Sequence, residues 1–392
     1  MTSILSQAKD LFPYTRDLRR DFHHHPELGF QEHRTAEKII QDLSALEGLQ
    51  IQTGIGKTGI VGTLIGAKPG RVILLRFDMD ALPVMENTGV EYASENEGIM
   101  HACGHDGHMA IGLSTARLLH ESRENLPGTI KFVFQPAEEG LGGANAMILD
   151  GVLSDPTPDV ALALHLWNEK PLGWIGITDG PMMSASESFS VQITGKGGHG
   201  GKPHEAVDPI VAAAGIINAL QSVVSREVPP LDSGVITVSS IHGGEAHNVI
   251  PEQVNLCGTI RSFTKETREL LLKRFHEVVE KTAEAYLCRA EVVIDDISPA
   301  VDNDPGIAAI LRQVASELFP EAVIDSGYRT MASEDMAFMM QDIPGCYCLI
   351  GSANPEKGLD AKHHQPEFNF DEQALLQGTA LLVSAVYELL KG

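Results

Sequence analysis

Positive charge is scarce in this 392-residue sequence: 29 lysines and arginines stand against 53 aspartates and glutamates, a formal net charge of −24. So large a negative surplus repels polyanions at long range, which argues against a nucleic-acid surface or an anionic-membrane face. An acidic small molecule is still admissible where positive charge is locally concentrated. Cysteine is also scarce, with five residues at positions 103, 257, 288, 346 and 348. An odd number without framework spacing favours a reducing compartment and leaves cysteine available to a metal. The opening MTSILSQAKDLFPYTRDLRRDFHHHPELGF lacks the basic flank, uninterrupted apolar run and small-residue cleavage site of a secretory signal, and no later run reads as long and apolar enough to cross a bilayer. Cytoplasm, with neither membrane nor nucleic acid as partner, is the default expectation. No internal repeat, low-complexity tract or coiled-coil heptad competes with a globular reading.

What is present is a chain long enough for two domains, with 43% hydrophobic residues. Residues 10–22 and 32–48 carry helical patterns, broken between them by HHHPELGF. GIVGTLIG, RVILLRFDMD, GTIKFVFQPAEEG and DVALALHLW read as strands, with a helical HMAIGLSTARLLHES before the third. Strands apolar almost throughout, alternating with helices, predict a large mixed or parallel sheet covered on both faces. Ligands of such sheets collect beyond the strands' C-terminal ends. There the sequence places Asp78 and Asp80, Glu138 and Glu139, and His165.

After DGPMMSASES the pattern changes. SFSVQITGKGGHG, a helix over 208–226, GVITVSSIHGG, VNLCGTIRSF, a helix over 266–285 and a strand over 289–298 predict an α+β unit of β-α-β-β-α-β order: four antiparallel strands with two helices on one face. SPAVDNDPG reads as the return linker. The expected organisation is a larger α/β domain of residues 1–184 and 299–392, interrupted by a smaller domain of 185–298 whose two crossings could act as hinges.

MHACGHDGHMA, residues 100–110, packs three histidines, a cysteine and an aspartate into a glycine-containing turn. Cys103 and His105 can converge if the backbone turns, and thiolate plus imidazole suits zinc or a similar divalent ion. A buried cysteine beside helix-start polar groups would explain that pair alone. Glu139, His165 and the late KHHQPEFNF supply further donors. Asp106 reads as the N-cap of the following helix and His108 as a packing or supporting group. In QPAEEG, one carboxylate can ligate while its neighbour accepts a proton from water, since a general base should not be wholly committed to the metal.

With HHHPELGFQEHRTA, RFDMDALPV, MHACGHDGHMA, FVFQPAEEGLGGA, ITGKGGHGGKPHEAVDPI, AHNVIPEQVNLCGTIRSF, ASEDMAFM and HHQPEFNFDE in this order over residues 23–372, the chain resembles the M20 metallopeptidase and amidohydrolase family, more closely its aminoacylase and hippurate-hydrolase-like branch. The resemblance implies a zinc-peptidase-like catalytic domain holding two divalent ions (zinc, manganese, cobalt or nickel) through Cys103, His105, Glu139, His165 and His364, with Cys103 bridging. It implies Glu138 as general base, Asp80 as an orienting carboxylate, His199 as a group that polarises the substrate carbonyl, and Asn248 and Arg261 as substrate-binding groups. His364 is preferred over His363 because Gln365 and Pro366 follow it as in this branch, and Glu334 in ASEDM is left with an open role. Asp78 stands where the broader family has a ligating histidine, and Cys103 where it has a bridging aspartate. The implied activity is hydrolysis of an N-acyl amino acid, with an N-acetyl, N-benzoyl or related acyl group, by a homodimer or higher homo-oligomer. A dipeptidase- or aminopeptidase-like metallopeptidase is the alternative enzyme, although no subsite for a free amino terminus is identifiable. A catalytically inert metal-bound interaction protein is the alternative outside enzymes, and the intact Glu138 argues against it.

Overall fold

The fold is seen in a computed structural model that describes residues 2–391. The chain opens with α1 (Thr2–His24), which starts earlier than the sequence pattern predicts and runs through Pro13. Proline removes one amide and crowds the carbonyl four residues back, but Ala8 before it and Leu18 and Phe22 after it are buried in the same core, and that packing holds the helix together. Next comes α2 (His33–Ser44), which buries Thr35, Ile39 and Leu43 along one face. Then follow β1 (Gln50–Ile55), β2 (Gly59–Ile65), β3 (Lys68–Asp78), α3 (His105–Glu121), β4 (Pro127–Gln135), α4 (Gly143–Leu149), β5 (Val160–Pro171) and β6 (Trp174–Gly176). After β7 (Gly180–Met183) the chain forms β8 (Ala185–Thr194), β9 (Gly198–His199), α5 (Pro209–Arg226), β10 (Gly234–His242), β11 (Val249–Ile250), β12 (Gln253–Ser262), α6 (Lys265–Ala285) and β13 (Arg289–Ser298). Past β14 (Val301–Asn303) come α7 (Pro305–Leu318), β15 (Val323–Asp325), α8 (Met336–Met340), β16 (Gly345–Ala353) and α9 (Gln373–Leu389).

Two compact units result: Met1–Gly180 with Asp302–Arg329 and Asp335–Gly392, and Pro181–Val301 with Thr330–Glu334. The expected insert, 185–298, lies within the second. Residues 330–334 group with that unit too, although the sequence reading leaves them in the larger domain. Two backbone bonds explain it, Thr330 N–H to the Met182 carbonyl and Ser184 N–H to that of Ala332, both 3.0 Å.

The larger unit holds an eight-stranded mixed sheet in the order β1-β2-β4-β3-β5-β16-β6-β15. Its centre, β4-β3-β5-β16, is parallel, so these strands deliver their C-terminal ends to one edge. Helices α1, α3 and α9 pack on one another, and α3 is buried from His105 to Ala116. A Cβ on Gly107 would come within 2.5 Å of Leu166 Cδ1, so only glycine lets the first turn of α3 approach β5 this closely.

In the smaller unit the sheet order is β10-β12-β8-β13, all antiparallel, with α5 and α6 packed on each other and on the strands. Asp208 caps α5 through the Ile210 N–H, and Thr264 caps α6 through that of Thr267. One sequence expectation needs correction here. By length and composition α5 is apolar enough to cross a membrane. In this fold its residues Ala212, Ala213, Ile216, Leu220 and Val223 instead join the unit's core with Phe189 and Phe275.

Candidate metal centre

The turn before α3 puts Cys103 and His105 on either side of Gly104, the N-cap residue, whose φ of 96° lies in the left-handed region that favours glycine. Asp106, expected there, lies inside the first turn. One of its oxygens accepts the Gly107 N–H, and the other meets Arg19 Nε at 2.8 Å and His23 Nδ1 at 2.7 Å. His105 Nδ1 donates to the Asp80 carbonyl at 2.9 Å. A carbonyl oxygen only accepts, so this bond fixes the tautomer of the neutral ring and leaves a lone pair on Nε2, which is buried without a hydrogen-bond partner. His165 is arranged the same way: Nδ1 donates to the Leu166 carbonyl at 2.8 Å, and Nε2 lies 3.4 Å from Cys103 Sγ.

Beyond β4, Ala137 takes a positive φ of 55°, and its N–H is held by buried Glu32, which also accepts from the Thr58 hydroxyl. The next two amides, of Glu138 and Glu139, donate to Asp80 Oδ1 and Oδ2, each at 3.0 Å. Asp80 therefore holds the backbone of both residues. His364, at φ 65°, is anchored by its N–H to the Ala102 carbonyl. Its Nε2 lies 3.2 Å from Glu139 Oε1, an oxygen without a hydrogen bond of acceptable geometry. His363 turns the other way: Nε2 donates to the Leu166 carbonyl at 2.9 Å and the ring packs on Trp167 and Phe368. His101 is buried with neither ring nitrogen hydrogen-bonded.

Ligand atoms of Cys103, His105 and His165 lie within 4.8 Å of one another, as do those of Cys103, Glu139 and His364, and those of His105, Glu138 and Glu139. The first two triads share the Cys103 sulfur. Burial, then the charges of Glu139, Glu138 and Asp78, push the Cys103 thiol well above its ordinary range. Burial opposes protonation of His105, but the charge of Asp78 and the bond and charge of Asp80 outweigh it and raise the imidazole to about 10. An imidazolium here would carry an Nε2 proton with no acceptor. A divalent cation held here would use that lone pair and offset the charge of the carboxylates and a thiolate, and a donor set of sulfur, imidazole and carboxylate suits a borderline ion.

Beneath the cluster lies a network that the sequence reading misses. Arg76 Nη1 meets Asp78 Oδ2 at 2.6 Å, Nη2 meets Asp335 Oδ1 at 3.0 Å, and Nε donates to Gln135 Oε1 at 2.9 Å. Asp335 also accepts from the Gln135 amide and the Ala144 N–H. In ASEDM it is Asp335 that joins this network, whereas Glu334 groups with the smaller unit. The Leu166 N–H donates to His108 Nε2 at 2.9 Å, so the proton of the neutral ring is on Nδ1, 2.6 Å from Asp78 Oδ1. Burial alone would raise Asp78, but His105, His108 and Arg76 hold its carboxylate well below the usual range. Asp78 is thus bonded to Arg76 and His108, and with His105 and His108 it forms a further group whose ligand atoms lie within 4.8 Å of one another.

In the smaller unit, His199 on β9 pairs with Val249 on β11. Its Nδ1 accepts the Gly201 N–H at 2.9 Å, which leaves Nε2–H as the donor of the neutral ring, and the side chain is exposed. The neighbouring Asn248 is exposed, and its carbonyl accepts the Gly200 N–H at 2.8 Å. On β12, Arg261 has a buried Nη1 without a hydrogen-bond partner.

The family model for Peptidase family M20/M25/M40 matches residues 74–388. The chain belongs to that family. Among M20/M25/M40 relatives, it is 39% identical to the N-acetyl-L-cysteine deacetylase of Bacillus subtilis over 95% of this chain and 87% of the relative. It is 37% identical to the IAA-amino acid hydrolase ILR1-like 2 of Arabidopsis thaliana over 100% of this chain and 89% of the relative. The solved structure of Bacillus subtilis YXEP, described as a dinuclear metal binding peptidase from the M20 family, matches with a TM-score of 0.85 at 33% identity, over 98% of this chain and 99% of the other. Like its M20/M25/M40 relatives the protein is a hydrolase, and its donor clusters fit divalent metal.

Proposed function

We propose that the protein hydrolyses the amide bond of N-acyl amino acids at a centre where Cys103, His105, His165, Glu139 and His364 would hold two divalent ions, with Glu138 as general base. The observation that carries this reading is the pair of donor triads meeting at Cys103 Sγ, with Glu138 adjoining them. The names of the deacetylase and IAA-amino acid hydrolase relatives support the substrate class. Bound divalent ions supply Lewis acidity toward the scissile carbonyl and toward water. Glu138, held by the Asp80 clamp on its N–H, takes the proton of the attacking water and returns it to the leaving nitrogen. His199 opposes the charge developing on the carbonyl oxygen through Nε2–H. Arg261 pairs with the substrate carboxylate and Asn248 adds an amide donor. The products are a carboxylic acid and a free amino acid.

The test is a panel of N-acetyl and N-benzoyl amino acids alongside dipeptides, assayed on metal-loaded protein. N-acyl amino acids should turn over fastest. Preference for dipeptides would replace this reading with a dipeptidase, and metal binding without turnover of any amide would replace it with an inert binding protein.

His199→Ala is expected to lower kcat by about 10²-fold, the scale of one lost oxyanion donor, with metal content unchanged. Near-normal kcat would remove His199 from the chemistry. We further propose that the smaller unit serves as lid and homodimer surface. Sedimentation showing only monomer at full specific activity would contradict the dimer. If the His199 donor acts across subunits, dimers mixing His199→Ala and Glu138→Gln chains should regain activity that neither parent has.

A further inference from the structure

We propose that His24, His25 and Glu95 form a divalent-metal site that shares no residue with the Cys103 cluster and pins the C-terminal end of α1 to the segment around residues 93–96. His24 ends α1, and its Nδ1 lies 2.6 Å from the Ala93 carbonyl. His25 follows, with Nδ1 2.9 Å from the Asp21 carbonyl. Both carbonyls can only accept, so both Nδ1 atoms carry hydrogen, and in the neutral rings both Nε2 atoms present lone pairs. Those lone pairs face a single carboxylate: His24 Nε2 is 2.9 Å from Glu95 Oε1, and His25 Nε2 is 3.7 Å from Glu95 Oε2. Acceptors facing an acceptor repel, and a positive charge between them removes the conflict.

Protons or one metal ion satisfy that requirement, and a single proton on His24 serves only the 2.9 Å contact and leaves the His25 lone pair facing Glu95 at 3.7 Å. Two imidazolium rings with centroids 4.9 Å apart would repel each other, whereas one divalent ion brings the same charge without a like-charge pair. The three ligand atoms lie within 4.8 Å of one another, so small side-chain rotations bring them to one ion. The Nδ1–H···O=C bonds orient both rings as bonds of this kind do for metal-ligating histidines. Two imidazoles and a carboxylate suit zinc and other borderline first-row ions. Side-chain exposures of 32%, 37% and 62% for His24, His25 and Glu95 leave the fourth position to water. The segment is already tied to the helix end by the Glu95 N–H to the His24 carbonyl and by the Asn96 side chain to the Pro26 carbonyl, so an ion there would reinforce an existing contact.

The test uses the full-length protein equilibrated with micromolar free zinc. By elemental analysis, Glu95→Gln and the double variant His24→Gln/His25→Gln should each bind one zinc per chain fewer than the unaltered protein, with N-acyl amino acid hydrolysis unchanged. Equal zinc in all three would overturn the site and assign the contacts to imidazolium–carboxylate pairs. Crystals of the unaltered protein soaked in zinc give a reading independent of how the variants fold. An anomalous peak about 2 Å from both Nε2 atoms is expected. Peaks confined to the Cys103 cluster would refute the proposal.

Discussion

Glu138→Gln is expected to reduce kcat by about 10³-fold, within the span of general acid–base catalysis, while the folded protein keeps its metal. The amide has the shape of the carboxylate but no longer accepts water's proton. The Asp80 clamp acts on the backbone N–H groups of residues 138 and 139, so the turn holding Glu139 is undisturbed. Glu139→Gln should do the reverse and lower metal retention, because it weakens the donor whose Oε1 faces His364. Elemental analysis and steady-state kinetics on both variants separate these outcomes. Equal metal loss from the two would mean that the roles of the adjacent carboxylates are assigned wrongly.

The second large effect is on stability. Arg76→Met leaves Asp78 and Asp335, with side-chain exposures of 0% and 4%, without the guanidinium between them. Removing one partner of a buried ion pair costs about 3–5 kcal/mol, because the remaining charge is stranded away from water. Both tryptophans, Trp167 and Trp174, lie in the larger unit, so urea unfolding followed by their fluorescence reports on that unit. The sign of the pH dependence follows from Asp78, whose carboxylate is held below its usual range. Its contribution is present above the ordinary carboxylate pKa and is lost as pH falls through the depressed value. The gap between unaltered protein and variant should therefore narrow in acid, since a protonated Asp78 no longer needs the arginine. A gap that is constant with pH would mean that Arg76 acts through packing alone.

Much of the smaller unit was legible in sequence because the alternating strands and the helical runs 208–226 and 266–285 fall close to the limits of α5 and α6. The strand over 289–298 is found at those limits. In the larger unit the long apolar strands were legible, but β6 and β15, three residues each, carry no period to detect. Of the site, the polar residues at strand ends could be read, and the roles proposed for them are those a family resemblance implies. The support beneath them could not be read, because Arg76, Gln135 and Asp335 are far apart in sequence and meet only through the parallel order of β3 and β4 and the position of α8. One signal was available: an arginine inside the apolar run RVILLRFDMD has to find buried carboxylates, and Asp78 is two residues away. That His364 Nε2 faces Glu139 while His363 Nε2 bonds the Leu166 carbonyl is a difference in ring direction that two adjacent identical side chains do not reveal.

Three imidazoles around the centre take their orientation from one amino acid's main chain. The Leu166 carbonyl accepts from both His165 and His363, and the Leu166 N–H donates to His108. The side chain at 166 has no part in these bonds, so apolar replacements there should leave the rings aimed as they are. A one-residue insertion in β5 would be far more damaging. Leu166 is held in register opposite Ile350 of β16, and sliding that register would misdirect all three rings together. During sequence divergence, the length of this strand is therefore under tighter restraint than the residues that compose it.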